Sequence, residues 1–116
     1  MGLKRGDLVY VVLGSKSWGS EQRGTRPAVV IQNDVGNKFS PTIIVAFITS
    51  KTKANLPTHV EIKVNALEQD SIIMLEQVRT LDKGRVLEKV GALDSATLAK
   101  VNKALLISLG LKGGDY

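Results

Sequence analysis

The sequence predicts a mainly β domain that ends in an α-helix. Three observations lead there. Residues 7 to 81 break into short β-rich runs separated by turn-forming residues, the pattern of a small barrel or sandwich. From Asp94 onward the apolar spacing changes to that of a helix. The chain has 116 residues, 43% of them hydrophobic and 23% charged, which fits one soluble domain over residues 1–116 with a sizeable core.

The elements follow in order. Asp7 to Leu13 is a β-rich run closed by Gly14-Ser15. Pro27 to Gln32 is nearly all apolar, as in a central strand. Asn33-Asp34-Val35-Gly36-Asn37 reads as a turn or loop, because Asn, Asp and Gly tolerate left-handed backbone. Ser40-Pro41 opens the run Thr42 to Thr49, and a polar connection spans Lys51 to Pro57. His59-Val60-Glu61-Ile62 alternates like a half-buried strand. Ser71 to Leu75 and Gln77 to Leu81 read as strands on either side of Glu76. Asp94 is a good N-cap for a helix carrying Leu98, Val101, Leu105 and Leu109 on one stripe, with Gly110 as its stop. The tail Lys112 to Tyr116 is expected to fray.

Composition removes several classes of function. No apolar run nears the roughly 18 residues that span a bilayer, and the N-terminus lacks the apolar core of a secretory signal. Without cysteine there are no disulfides, thiolate nucleophile or thiolate metal site. These features fit a cytoplasmic protein with no membrane role. A formal charge of +5 favours an anionic partner. No run of five basic residues exists, so folding must assemble any basic surface. One histidine, His59, rules out a histidine acid–base pair and reads as a surface or packing residue. The carboxylates are scattered without metal-ligand spacing, so no metal site and no cofactor is expected.

The chemistry concentrates at Gly19-Ser20-Glu21-Gln22-Arg23-Gly24-Thr25-Arg26-Pro27, a glycine-rich charged loop running straight into an apolar strand. Pro27 biases Arg26 toward extended backbone, which suits a side chain aimed at one phosphate. The plain alternative is a solvated hairpin loop with incidental charges. A kit of Arg, Glu, hydroxyls and backbone donors suits one reaction well. RNA carries its own nucleophile, the 2′-hydroxyl, and a protein that positions it and neutralises the developing phosphate charge can cleave RNA without metal or histidine.

Several segments together resemble the MazF/PemK toxins of bacterial toxin–antitoxin systems, which are mRNA interferases. They include Lys4-Arg5-Gly6-Asp7, Gly19-Ser20-Glu21-Gln22, Arg26-Pro27, Ile31-Gln32-Asn33-Asp34, Ser40-Pro41-Thr42, Ile48-Thr49, Leu56-Pro57-Thr58-His59-Val60, Leu75 to Asp82 and Ile107 to Leu111. The flavour is that of Gram-positive members. The resemblance implies a small SH3-like barrel ending in a helix (the PemK/CcdB-like fold) and a homodimeric, sequence-specific endoribonuclease acting on single-stranded mRNA. It implies 2′,3′-cyclic phosphate and 5′-hydroxyl products, and inhibition by a cognate MazE-like antitoxin. Carried over by position, the essential arginine falls on Arg26 and the essential threonine on Thr49. Glu21 and Gln22 fall in the loop bordering the scissile phosphate, and Asn33, Glu76, Gln77 and Arg79 near the RNA channel.

The first loop departs from the family pattern. Many members carry a proline near Ser15-Lys16 and a glycine where Arg23 stands, so Lys16, Arg23 and the indole of Trp18 are added to the margin. Arg26 either pairs with Glu21 or stabilises the phosphate in the transition state, with proton donation to the leaving 5′-oxygen as a further option. A guanidinium stays protonated, so it makes a poor general base. Glu21 either pairs with Arg26 or Arg23 or takes the 2′-hydroxyl proton. Thr49 either simply favours a strand or contacts a phosphate oxygen. Trp18 either stacks a base or packs across its own loop. Ser20, Gln22 and Arg23 complete the expected RNA-binding margin. Alternation sets Gln77 against Glu76 and Arg79 unless a bulge intervenes. Two other readings remain: a CcdB-like gyrase-binding toxin, for which the tail from Leu109 shows no suitable hydrophobic–aromatic end, and a barrel that binds RNA without cutting it.

Overall fold

A computed structural model describes residues 2–14, 24–50 and 55–114. In chain order it contains β1 (Asp7–Val12), β2 (Thr25–Val30), α1 (Asp34–Phe39), β3 (Thr42–Ser50), β4 (His59–Ile62), β5 (Ser71–Asp82), β6 (Val86–Ala92) and α2 (Ser95–Leu109). Single 3-10 turns occupy Asn65–Leu67 and Lys83–Arg85. The six strands form one antiparallel sheet in the order β4-β5-β3-β2-β1-β6. The architecture is mainly β with a C-terminal helix, as expected, but β4 and β6 remain the two edges and the barrel is not closed.

The near-continuous apolar sequence of β2 and β3 follows from burial on both faces. On one face Val29, Ala46 and Ile48 meet Leu8, Ile73 and Leu75 under Val101 and Ala104 of α2. On the other, Ala28, Val30, Ile43, Val45 and Phe47 meet Val9, Val11, Ile72, Met74 and Leu81. This second cluster contains no helical residue among the described residues, and Leu3 and Val86 pack against it. Each strand's alternation thus divides its apolar residues between two cores. The edge strand β4, with Val60 and Ile62 buried and Glu61 exposed, serves only the first.

Sequence reading and structure part company at four places. Residues 34–39, read as a turn, form the short helix α1. Asn33 caps it by accepting the Gly36 N–H at 2.8 Å, and Asn37 turns inward, 5% exposed. β6 had no strong alternation to announce it, and it extends the sheet by pairing with β1 across two register shifts. The stripe of α2 is centred on Val101 and Ala104, while Leu109 is 58% exposed. The tail does not fray at Lys112–Gly114. After Gly110 caps α2 in a left-handed conformation, the Leu111 N–H donates to Leu106 O at 2.9 Å. Gly114 then lies so close to Leu106 and Ile107 that a Cβ would overlap their backbone.

α1 is held by a buried amide network that links the ends of β2 and β3. Asn37 Nδ2 donates to Gln32 O at 2.9 Å and to Asp34 Oδ1 at 3.1 Å. Gln32 Nε2 donates to Asn37 Oδ1 at 3.1 Å and Thr42 O at 3.0 Å. The Arg5 backbone N–H, followed by the Asn37 amide, holds the Asp34 carboxyl below its ordinary pKa. Asn37→Ala leaves Gln32 O and one amide donor without these partners in a largely buried site. It is expected to cost about 1–3 kcal/mol, read as a lower urea midpoint with an unchanged slope.

Candidate functional site

The antiparallel ladder between β2 and β3 is recorded from Ala28–Phe47 to Val30–Val45. Continuing that register by two residues sets Arg26 opposite Thr49. Between Ala28 and Arg26 stands Pro27, which has no N–H to extend a ladder. On its other side β2 stays paired with β1 through Tyr10–Pro27 and Val11–Arg26, and Thr49 stays paired with Ile72 of β5. The two strands are therefore anchored outward while their mutual pairing has stopped. A cavity of about 340 Å³ opens there, lined by Tyr10, Arg26, Pro27, Ile48, Thr49, Ser50, Leu67, Gln69 and Ser71.

Arg26 is the single cation among the described residues of this lining. Its Nε is buried and has no hydrogen-bond partner among the described residues. A buried guanidinium donor left unmatched is costly, and a phosphate oxygen is the acceptor its fork fits best. Thr49 and Ser50 supply hydroxyls on the same wall. Among the described residues no group of three or more His, Asp or Glu side chains is placed to hold a metal ion.

Of the residues expected from sequence, Arg26 and Thr49 are brought together. Trp18, Ser20, Glu21, Gln22 and Arg23 lie outside the described residues, as does Lys16. Asn33, Glu76, Gln77 and Arg79 are not part of the cavity lining. Asn33 is exposed and its Oδ1 is engaged as the cap of α1. The lining residues Tyr10, Ser50, Leu67, Gln69 and Ser71 were not anticipated. They converge through the pairing of distant strands and the loop that precedes β5, which leaves no local sequence signal.

A bulge does intervene in β5. Ser71–Met74 pair with Phe47–Ser50, and Val78–Asp82 with Thr42–Ala46, leaving Leu75, Glu76 and Gln77 unmatched on β3. The odd number of extra residues reverses which face odd positions occupy, so Arg79 and Leu81 take the side that Ile72 and Met74 held before it. Neighbouring elements pin the bulge. The Leu75 N–H donates to Thr58 O at 2.9 Å, and Ser108 Oγ of α2 donates to Leu75 O at 2.7 Å.

Glu76 is fully engaged in this clamp. Thr58 Oγ1 donates to its Oε1 at 2.9 Å, and His59 Nε2 lies 3.0 Å from its Oε2. The Leu56 N–H faces His59 Nδ1 at 3.4 Å, which leaves Nε2 as the ring's donor to the carboxylate. His59, with 7% of its side chain exposed, is thus a packed, partnered residue. Burial pushes the Glu76 carboxyl upward, but the Glu76 backbone N–H, His59 and Thr58 outweigh it, and its pKa lies below the ordinary 4.5.

That depressed pKa fixes the sign of a pH effect. The unfolded chain takes up this proton at higher pH than the folded one. The Glu76 contribution is complete above its unfolded pKa and is lost as pH falls through the lower folded value. Denaturation midpoints measured between pH 3 and pH 6 should fall less steeply on acidification in Glu76→Gln than in the parent. Parallel curves would show that Glu76 is not the group responsible.

Comparison with known proteins identifies the family. Residues 4–109 match the family described as PemK-like, MazF-like toxin of type II toxin–antitoxin system. The chain is 54% identical over 117 residues to a protein named Endoribonuclease MazF from Staphylococcus epidermidis, covering 98% of this chain and 97% of that protein. Its fold superposes on the crystal structure of MazF from Deinococcus radiodurans with TM-score 0.80 and 25% identity, covering 96% of this chain and 99% of that one. A mycobacterial endoribonuclease solved in complex with its cognate antitoxin shares the fold at TM-score 0.79 and 24% identity, over 94% and 96% of the two chains. The chain belongs to the PemK-like, MazF-like toxin family of type II toxin–antitoxin systems.

Proposed function

We propose that the protein is the toxin of a toxin–antitoxin pair and a metal-independent endoribonuclease that cuts single-stranded mRNA at a preferred sequence. The observation that carries this reading is the buried, unmatched Arg26 Nε beside Thr49 in one cavity, in a chain 54% identical to an endoribonuclease.

In the proposed reaction the substrate's 2′-oxygen attacks the adjacent phosphorus. A bond forms from 2′-oxygen to phosphorus and the bond from phosphorus to the 5′-oxygen breaks, giving a 2′,3′-cyclic phosphate and a 5′-hydroxyl. Charge builds on the non-bridging oxygens. The Arg26 guanidinium meets it with a fixed fork of donors and the Thr49 hydroxyl adds another, an arrangement that strengthens as the charge develops. The 2′-hydroxyl proton must leave to a base, for which Glu21 is the candidate. The leaving 5′-oxygen must gain a proton, which Arg26 can donate. Trp18, Ser20, Gln22 and Arg23 are proposed to grip the flanking RNA. Asn33, Glu76, Gln77 and Arg79 are assigned to the wider RNA channel. There the pinning of Glu76 by Thr58 and His59 favours a positioning role over direct contact.

Incubating the protein with mixed-sequence RNA in EDTA tests the activity. Cleavage with cyclic-phosphate ends is expected, and should vanish when the nucleotide 5′ of the cut is replaced by its deoxy form. Products ending in a 3′-hydroxyl, or activity restored only by magnesium, would refute the reading. Arg26→Ala should slow single-turnover cleavage by about 10²–10³-fold at saturating enzyme, by analogy with other oxyanion donors. Cleavage at the parent rate would make Arg26 a binding residue only.

Two partners belong to the same reading. A MazE-like antitoxin is proposed from the family. A homodimer is proposed because a domain with principal extents of 34 × 30 × 29 Å offers little length for a strand of several nucleotides, and a second copy would extend the channel. Sedimentation at micromolar protein should show the dimer; a fully active monomer would remove the claim.

A further inference from the structure

The cavity beside Arg26 has a second wall whose chemistry does not suit phosphate. We infer that Gln69, with Tyr10 and Leu67, forms a nucleobase subsite next to the scissile phosphate and determines part of the RNA base preference. The inference rests on the ribonuclease reading above. Among the described lining residues Arg26 is the single cation, which matches one phosphate, and the others are neutral. Tyr10 supplies an aromatic surface and Leu67 an apolar one, which together suit the face of a base.

Gln69 is held unusually well for an exposed side chain. Its N–H donates to Leu67 O at 2.8 Å, and its C=O accepts from Ser71 Oγ at 3.1 Å. Its Nε2 donates to Ser50 Oγ at 2.6 Å, reaching the end of β3 one residue beyond Thr49. The preceding Glu68 has φ 61, a left-handed conformation uncommon outside glycine, so the loop is bent at cost directly before Gln69. Ser50 takes one amide hydrogen. The amide carries a second donor hydrogen and the acceptor Oε1, neither of which has a partner among the described residues. A nucleobase edge offers the complementary pair, and an amide fixed in advance reads it without ordering cost.

The test uses the full chain. Sequencing the 5′-hydroxyl ends cut from a random RNA library gives the base preference. Then kcat/KM is compared for a short RNA of the preferred sequence and for versions with one base changed near the cut. Gln69→Glu keeps the shape but removes the amide donors, and Gln69→Ala removes the whole edge. At one position, discrimination should fall by about tenfold or reverse, with little change on RNA carrying the least favoured base there. An RNA with an abasic nucleotide at that position should be cut about tenfold more slowly by the parent protein, a readout that needs no variant to fold. If the parent cleaves but both variants keep every base ratio within about twofold, the inference is overturned and the ribonuclease reading stands. If the parent cuts no RNA, the ribonuclease reading itself has failed.

Discussion

The two-sided burial of β3 is the constraint on which the rest of the structure depends. Ile43, Val45 and Phe47 point into one core, and Ala46 and Ile48 into the other. A strand buried on both faces needs a cover on each. α2 supplies one, and on the other face residues of β1, β2, β3 and β5 pack together with Leu3 and Val86. β2 and β1 on one side and β5 on the other are thereby fixed in register. A slip of one residue would exchange the contents of the two cores.

The candidate site lies where that regularity stops. β3 keeps its partner β5 as far as Ser50, while its pairing with β2 is recorded only to Phe47, beside Pro27. The ladder's failure leaves backbone apart and side chains converging, and Arg26 and Thr49 face the opening from two rigid strands. Positioning from strands anchored on their outer sides is what the proposed phosphate-binding role of Arg26 requires, since its value depends on being in place before charge develops. The bulge at Leu75–Gln77 has the complementary role in β5. It accommodates the turn of the sheet and is tied to the entry of β4 by Thr58 and to α2 by Ser108.

Electrostatics follows the same division between framework and site. Glu76 has both oxygens occupied by Thr58 and His59, and Asp7, 3% exposed, pairs with Lys89 at 3.2 Å, joining β1 to β6. These acids hold elements together. Arg26 Nε stands apart as a buried donor unmatched within the described residues. In the proposed function a phosphate would remove the cost of that unmatched donor.

The sequence by itself determined the features that depend on near neighbours. Asp94, the helical spacing around Val101 and the stop at Gly110 define α2 locally, because capping and periodicity act within a few residues. The apolar runs of β2 and β3 announced central strands for the same reason. Arg26 and Thr49 were legible only through the likeness of their segments to a known family, since neither residue signals a site alone. Tertiary structure decided the rest. Short α1 depends on the contacts of Asn37 with Gln32 and Asp34 rather than on its six residues' propensity, and β6 depends on the exposed edge of β1. The bulge in β5 is invisible in a run of alternating residues, because it is imposed by β3, β4 and α2 together. Gln69 and Tyr10 come from segments 59 positions apart and share a wall only because the sheet sets β1, β2, β3 and β5 side by side, a property of the assembled sheet that no single segment contains.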